Sequence, residues 1–179
     1  MIQLRQINGG VWYVADPIAK VGRADISELI QRAGHGARKR ARICTHRDTA
    51  DKLHEMLIVH TRETYVRPHK HLGKSESFHL IEGAADVVVF DNEGNVADVI
   101  AMGDYSSGKT FYYRMADPLY HTLIIRSDVI VFHEATNGPF DRSATVFAPW
   151  APEDSVPSQK EFMERVAADA ANFFRSRKP

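Results

Sequence analysis

Residues 67–83 read RPHKHLGKSESFHLIEG. A β-strand repeats every two residues, so His69 and His71 project from the same face. Two imidazoles side by side are poor packing units and a good start on a metal site. Residues 72–75 (LGKS) contain a glycine and predict a turn, after which Glu76 can return beside the two histidines from a neighbouring strand. Two neutral imidazoles and a carboxylate on the inner wall of a barrel suit one borderline divalent ion, Zn²⁺, Mn²⁺, Fe²⁺ or Ni²⁺. A fourth ligand has to come from another strand. The candidate is His121 in PLYHTLIIRS, because Leu123 and Ile125 share its parity and would fill the same interior.

Around this stretch the pattern is of short strands broken by turn residues. Strands are predicted near 41–46, 54–61, 64–71, 76–82, 85–91, 95–101, 109–115, 120–126 and 128–135. The clearest junction is VVVFDNEGNVADVI, two β-rich runs joined by a turn with a glycine free to take positive φ. Many short strands at regular spacing argue for an antiparallel sandwich or barrel. Before them, residues 2–7 and 11–15 read as strands about Gly9-Gly10, and DISELIQRAGHG reads as a helix with Asp25 as N-cap and Gly34 or Gly36 as its stop. After them, Phe162, Val166, Ala170 and Phe173/Phe174 form one apolar helical stripe, which needs the outside of its own barrel or a second subunit to cover it. The expected division is an N-terminal extension over 1–40, packing on the barrel or on a partner, a barrel over 41–150 and a C-terminal helix over 151–179.

Composition narrows the function classes. The 179 residues are 44% hydrophobic and 26% charged with a formal net charge of +0, which fits a soluble globular chain and speaks against a general nucleic-acid or membrane-surface binder. The one basic run, ARKRAR at 37–42, reads as a solvated turn entering a strand. A single cysteine, Cys44, excludes an intrachain disulfide and a cysteine-rich zinc site, and its apolar setting makes it a small core residue. With no signal peptide pattern and no apolar run near the roughly 20 residues of a membrane span, a cytoplasmic location is expected.

At His69, His71, Glu76 and Gly83 the sequence resembles the cupin superfamily, whose first motif places His-x-His, then a glutamate, then a glycine at this spacing. The leading glycine of that motif is replaced by Glu63. Of the second motif His121 is kept, Pro118 is shifted and Ile125 stands at the asparagine position. The runs RARICTHRD, EMLIV, YVRPHKH, SFHLIEG, VVVFDNEGNV, HTLI and FAPWAPED further resemble the WbuC-type cupin-fold metalloproteins of bacterial polysaccharide gene clusters. The resemblance implies a mainly β fold, a double-stranded β-helix (cupin jelly-roll) barrel, with a mononuclear metal held by His69, His71, Glu76 and His121. It also implies a homodimer, with residues 2–15 on the partner, and a sugar or sugar-derived acid as substrate.

Strand parity sets Arg67 and Tyr65 on the wall of His69 and His71 as candidate substrate-binding residues. An enclosed guanidinium needs an anionic partner, either an acidic side chain of the protein or a carboxylate or phosphate of a ligand. Phe78 and Leu80 share the parity of Glu76 and are expected as apolar wall, while His79 points outward. His133 and Glu134 are adjacent, so only one can face inward, and either could serve as a general acid or base. Two classes stand: an isomerase-, epimerase- or oxygenase-like metal enzyme on a small acidic or carbohydrate substrate, and a non-catalytic metal-dependent binding protein. A titratable side chain beside an open metal position separates them.

Overall fold

The computed structural model describes residues 2–154 and 156–176. Its strands are β1 (Leu4–Asn8), β2 (Val11–Val14), β3 (Arg40–Cys44), β4 (Leu53–Thr61), β5 (His69–His71), β6 (Glu76–Glu82), β7 (Ala84–Phe90), β8 (Val96–Gly103), β9 (Tyr112–Met115), β10 (Tyr120–Ile125), β11 (Val129–Asn137) and β12 (Thr145–Phe147). Two helices flank them, α1 (Arg23–His35) and α2 (Ser158–Ser176). Among the described residues they build two sheets, β1-β2-β3-β4-β11-β6-β9 and β12-β5-β10-β7-β8. All pairings within named strands are antiparallel except β2 with β3. Strands consecutive in the chain cross between the sheets, as from β4 to β5 and β5 to β6, so the sandwich is the double-stranded β-helix, or jelly roll, that the strand spacing predicts.

Alternation along each strand sorts side chains into three layers. Between the sheets lie Cys44, Met56, Ile58, Phe78, Leu80, Val87, Met102, Leu123, Ile125, Ile130 and Phe132. Outside the larger sheet, Ala41, Ile43, Val59 and Val131 meet Trp12 of β2 and Leu29 and Ala33 of α1. Outside the smaller sheet, Val88, Phe90, Val99, Tyr120 and Ile124 meet Phe162, Val166 and Ala170 of α2. The apolar stripe of α2 is therefore covered by its own barrel. Full burial of a side chain such as Phe162 or Val166 contributes about 1.5–3 kcal/mol relative to exposure.

Residues 2–40 extend the larger sheet through β2 and cover its outer face with α1. Asp25 sits inside α1, not at its cap. Gly22 occupies the N-cap in extended backbone, and the Asp25 carboxylate reaches back to accept from Gly22 N at 2.9 Å and from Ile2 N at 3.1 Å. The helix stops at Gly36. At Gly83 the β6–β7 connection turns with φ of 93°, and an added Cβ would run into the Val129 carbonyl and the Ser127 hydroxyl, so only glycine fits there.

The strand expected over 64–71 is cut to His69–His71. Pro68 has no N–H to donate and restricts the residue before it, so the ladder cannot run through. Val66 and His69, three residues apart, both face the interior, so the alternation slips by one across Pro68. A short edge strand, β12, pairs with β5 and was not predicted. The basic run also differs from expectation: Arg40 and Arg42 lie in β3 and alternate with the outward Ala41 and Ile43. They share the inward parity of Cys44.

Candidate metal centre

The three histidines come together at one end of the barrel. His69 and His121 are directly opposed across β5 and β10, with ring centroids 4.6 Å apart, and His71 lies 4.9 Å from His69 and 5.9 Å from His121. One ligand nitrogen from each falls within 4.8 Å of the other two, so this group could hold a metal ion.

The rings are oriented by their other nitrogens. His69 Nδ1 lies 2.8 Å from the Arg67 carbonyl oxygen, and His121 Nδ1 lies 3.0 Å from that of Leu119. A carbonyl only accepts, so both Nδ1 atoms carry a hydrogen, and the Nε2 of each ring is the atom that would face an ion, on His121 after it gives up the proton it shares with Glu76. His71 Nδ1 is 3.2 Å from the Thr145 hydroxyl on β12. The unpredicted edge strand thus supplies the orienting group for the third ring.

Glu76, buried at the start of β6, bridges two of these rings. Its carboxylate oxygens lie 3.3 Å from His71 Nε2 and 3.1 Å from His121 Nε2, and it accepts a hydrogen bond from the Tyr113 hydroxyl at 3.1 Å. Burial alone would raise the Glu76 carboxyl. The charge of His121 and hydrogen bonds from His121 and His71 override it and hold the group well below the usual carboxylate range. Burial opposes the charge on His121, but its bonds to Glu76 raise it overall. Burial, followed by repulsion from the neighbouring imidazoles, pushes His69 down to about 3, so this ring is neutral. Tyr113 is pushed well above the usual phenol range by burial and by the adjacent Glu76 charge, which keeps it a donor.

Of the adjacent pair on β11, Glu134 is the inward residue. It shares the parity of Ile130 and Phe132, both in the barrel core, whereas His133 faces away with Nε2 3.8 Å from Glu55 Oε1. The Glu134 carboxylate makes no hydrogen bond or ion pair with a described residue. Burial, then the negative Glu76, raises it to about 7, and Arg42, His71 and His121 pull the other way. Thr136, two residues further along the same face, is the direct partner of Glu76, so Glu134 sits one row from the histidine end of the barrel.

Tyr65 does not share the histidines' wall as expected. The Tyr65 ring packs with the outer cluster beneath α2, and its hydroxyl donates to the Pro152 carbonyl at 2.8 Å. Burial raises that phenol to about 12. Arg67 lays its guanidinium 5.0 Å above the Phe147 ring of β12, the direct partner of His69, so it stays on the histidines' side, and its carbonyl orients His69. The slip in alternation between Tyr65 and His69 is the cause of the Tyr65 departure. Sequence reading left Tyr113 unranked among several tyrosines and missed Thr145 and Arg42. The signal for Arg42 was present, since it lies two residues from the core-assigned Cys44.

A family model described as "Domain of unknown function (DUF6016)" matches residues 21–102. No match was found among curated proteins. Among solved structures, the chain is similar to a mutant of the Bacillus subtilis oxalate decarboxylase OxdC, at 19% identity and a TM-score of 0.42, over 54% of this chain and 24% of that one. It is also similar to the capsular polysaccharide assembling protein CapF from Staphylococcus aureus, at 14% identity and a TM-score of 0.45, over 59% of this chain and 32% of that one. A third likeness is to the Schizosaccharomyces pombe Cnp3 cupin domain, at 10% identity and a TM-score of 0.43, over 55% of this chain and 64% of that one. The chain thus spans about a quarter of the oxalate decarboxylase and a third of CapF. Among the described residues no helix is long and apolar enough to cross a membrane.

Proposed function

We propose that this chain is a mononuclear divalent-metal enzyme that moves a proton next to a carbonyl of a small sugar-derived or acidic substrate, as in isomerisation or epimerisation. His69, His71 and His121 would hold the ion through Nε2, with Glu76 as the fourth ligand and Tyr113 and Thr145 fixing Glu76 and His71. The ion, when bound, supplies Lewis acidity toward a substrate oxygen. The donor set of imidazoles and one carboxylate fits Zn²⁺, Mn²⁺, Fe²⁺ or Ni²⁺. The sequence resemblance to WbuC-type proteins supports a substrate from polysaccharide-related metabolism.

Glu134 is the observation that carries the enzyme reading. A binding site needs no titratable group beside its metal, and here an unpaired carboxylate faces the histidines from the opposite sheet. Held near neutrality by its surroundings, Glu134 can take a proton and return it, the property required of a general base. Tyr113 stays protonated and tied to Glu76, so it does not compete for that role.

The test is hydrogen exchange. Metal-loaded protein is incubated in D₂O with a panel of keto-sugars and sugar acids, and deuterium entering the carbon-bound positions is followed by NMR. The reading expects metal-dependent exchange that falls by about 10²–10⁴-fold in Glu134→Gln while metal content is unchanged. Exchange equal in wild type and Glu134→Gln would remove Glu134 from the chemistry, and absence of exchange across the panel would count against the proton-transfer reading.

A further inference from the structure

Arg42 is an arginine inside the barrel that forms no ion pair with a described residue. On β3 its neighbours Ala41 and Ile43 pack outward under α1, so Arg42 projects inward on the side of the core residue Cys44. It is half-buried, its Nε is fully enclosed with no hydrogen-bond partner, and its side-chain hydrogen bond to a described residue runs from Nη1 to Met56 Sδ at 3.7 Å. No acidic described side chain forms an ion pair with it. Leaving a buried charged donor unsatisfied is costly, and the fold gains nothing from this guanidinium that a methionine would not give.

The register shows where the guanidinium lies. Cys44, Met56, Glu134, Phe78 and Tyr113 are successive partners across the larger sheet and form one row. Arg42 belongs to the row below, opposite Ile58. By touching Met56 Sδ its guanidinium climbs into the Glu134 row, and Met56 and Glu134 are directly paired on adjacent strands, roughly 4.8 Å apart. Thr136, two residues beyond Glu134 toward the mouth, is the partner of Glu76. The order along the cavity is therefore metal ligand, Glu134, Arg42.

We propose that Arg42 binds a carboxylate of the substrate, so that the reacting carbon lies between this anchor and the histidine centre, within reach of Glu134. This rests on the site reading above and adds the substrate class, a small hydroxy or sugar acid. A guanidinium fork matches a carboxylate with two parallel N–H bonds. A carboxylate suits this site better than a phosphate dianion, because Glu134 and Glu76 already face the same space. Arg67, the anchor expected from strand parity, has a partnerless buried Nε as well, but its guanidinium face is taken up by the Phe147 ring at 5.0 Å, beside His69 and not beyond Glu134.

The experiment measures binding, so it does not depend on turnover. Calorimetry and thermal melting are run on wild type, Arg42→Met and Arg42→Lys, zinc-loaded and zinc-free, with D-glucuronate and glycolate as probes. D-glucose, ethylene glycol and glucose 1-phosphate are the comparisons. The proposal expects wild type to bind at least one acid, with affinity falling about 10–100-fold in both variants, the loss of a hydrogen bond to a charged group. Neutral compounds should bind no differently in the three proteins. Zinc content should be unchanged, and ligand-free Arg42→Met should melt at or above wild type, because no ion pair is lost. If Arg42→Met fails to fold, the ordering of wild type and Arg42→Lys decides. Acid binding equal in wild type and variants, or no acid binding at all, overturns the proposal, and Arg42-dependent binding of glucose 1-phosphate alone overturns the carboxylate assignment. Arg42-dependent acid binding in a wild type that takes up no zinc would leave the anchor standing and remove the metal reading.

Discussion

Two groups of histidines lie in this barrel, and they are built for different ends. His46 and His54 stack face to face at 4.2 Å with planes 4° apart, and Tyr13 meets His46 edge-on. His46 Nδ1 is spent on the backbone of Glu55, 3.0 Å from its carbonyl oxygen and 3.2 Å from its amide nitrogen, and no carboxylate of a described residue forms an ion pair with either ring. His69, His71 and His121 are tilted or edge-on to one another, each is held by Nδ1, and two of their Nε2 atoms converge on Glu76. Burial by itself does not separate the groups, since His46, His54 and His121 are all buried. What the contrast teaches is that a carbonyl behind the ring does not by itself make a ligand, since His46 has one too. The triad is set apart by three rings whose other nitrogens converge beside a buried carboxylate, whereas the stacked pair fills volume.

That comparison is broken or sharpened most strongly by deletion. His121→Ala should abolish stoichiometric metal uptake, because it removes one donor and leaves the buried Glu76 carboxylate without its main partner. Elemental analysis of the purified variant checks this. His54→Ala should retain full metal uptake and lose about 1–3 kcal/mol of stability, the usual cost of emptying a core position. Loss of metal in His54→Ala with retention in His121→Ala would reverse the assignment of the two groups.

A smaller effect is expected from Glu134. Its carboxyl titrates at about 7 in the folded chain against an ordinary 4.5. Between these values the folded metal-free protein keeps a proton that the unfolded chain has released. The stabilisation from this group is therefore complete below pH of about 4.5 and is lost as pH rises through about 7. Metal-free wild type should fall behind Glu134→Gln in melting temperature as pH is taken from 5 to 8. Parallel melting profiles across that range would show that the carboxyl is not enclosed as described.

Much of this was legible in the residues, and the parts that were not have identifiable causes. The strand boundaries of β4, β6 and β11 and the convergence of His69, His71, Glu76 and His121 follow from period-two alternation and from a turn at residues 72–75. Alternation holds only while the ladder is continuous, however, and Pro68 interrupts it. The inward parity assigned to Tyr65 was carried across an irregular stretch that shifts it. Arg42 was hidden for a different reason. A basic run suggests a solvated surface, and only the alternation of Ala41, Ile43 and Cys44 shows that half of its arginines turn inward. Thr145 and β12 were beyond reach, because a three-residue edge strand has too little pattern to be recognised apart from its partner.

The central claim is that one ion sits among His69, His71, His121 and Glu76. Anomalous diffraction from crystals grown with zinc, recorded on both sides of the zinc absorption edge, tests it most directly. The account predicts one dominant peak per chain, bonded to three Nε2 atoms at about 2.0–2.1 Å and to a Glu76 oxygen at about 2.0–2.2 Å. A fully ordered site in which Glu76 still bridges His71 and His121 and no peak appears, or a peak at His46 and His54 instead, would contradict it.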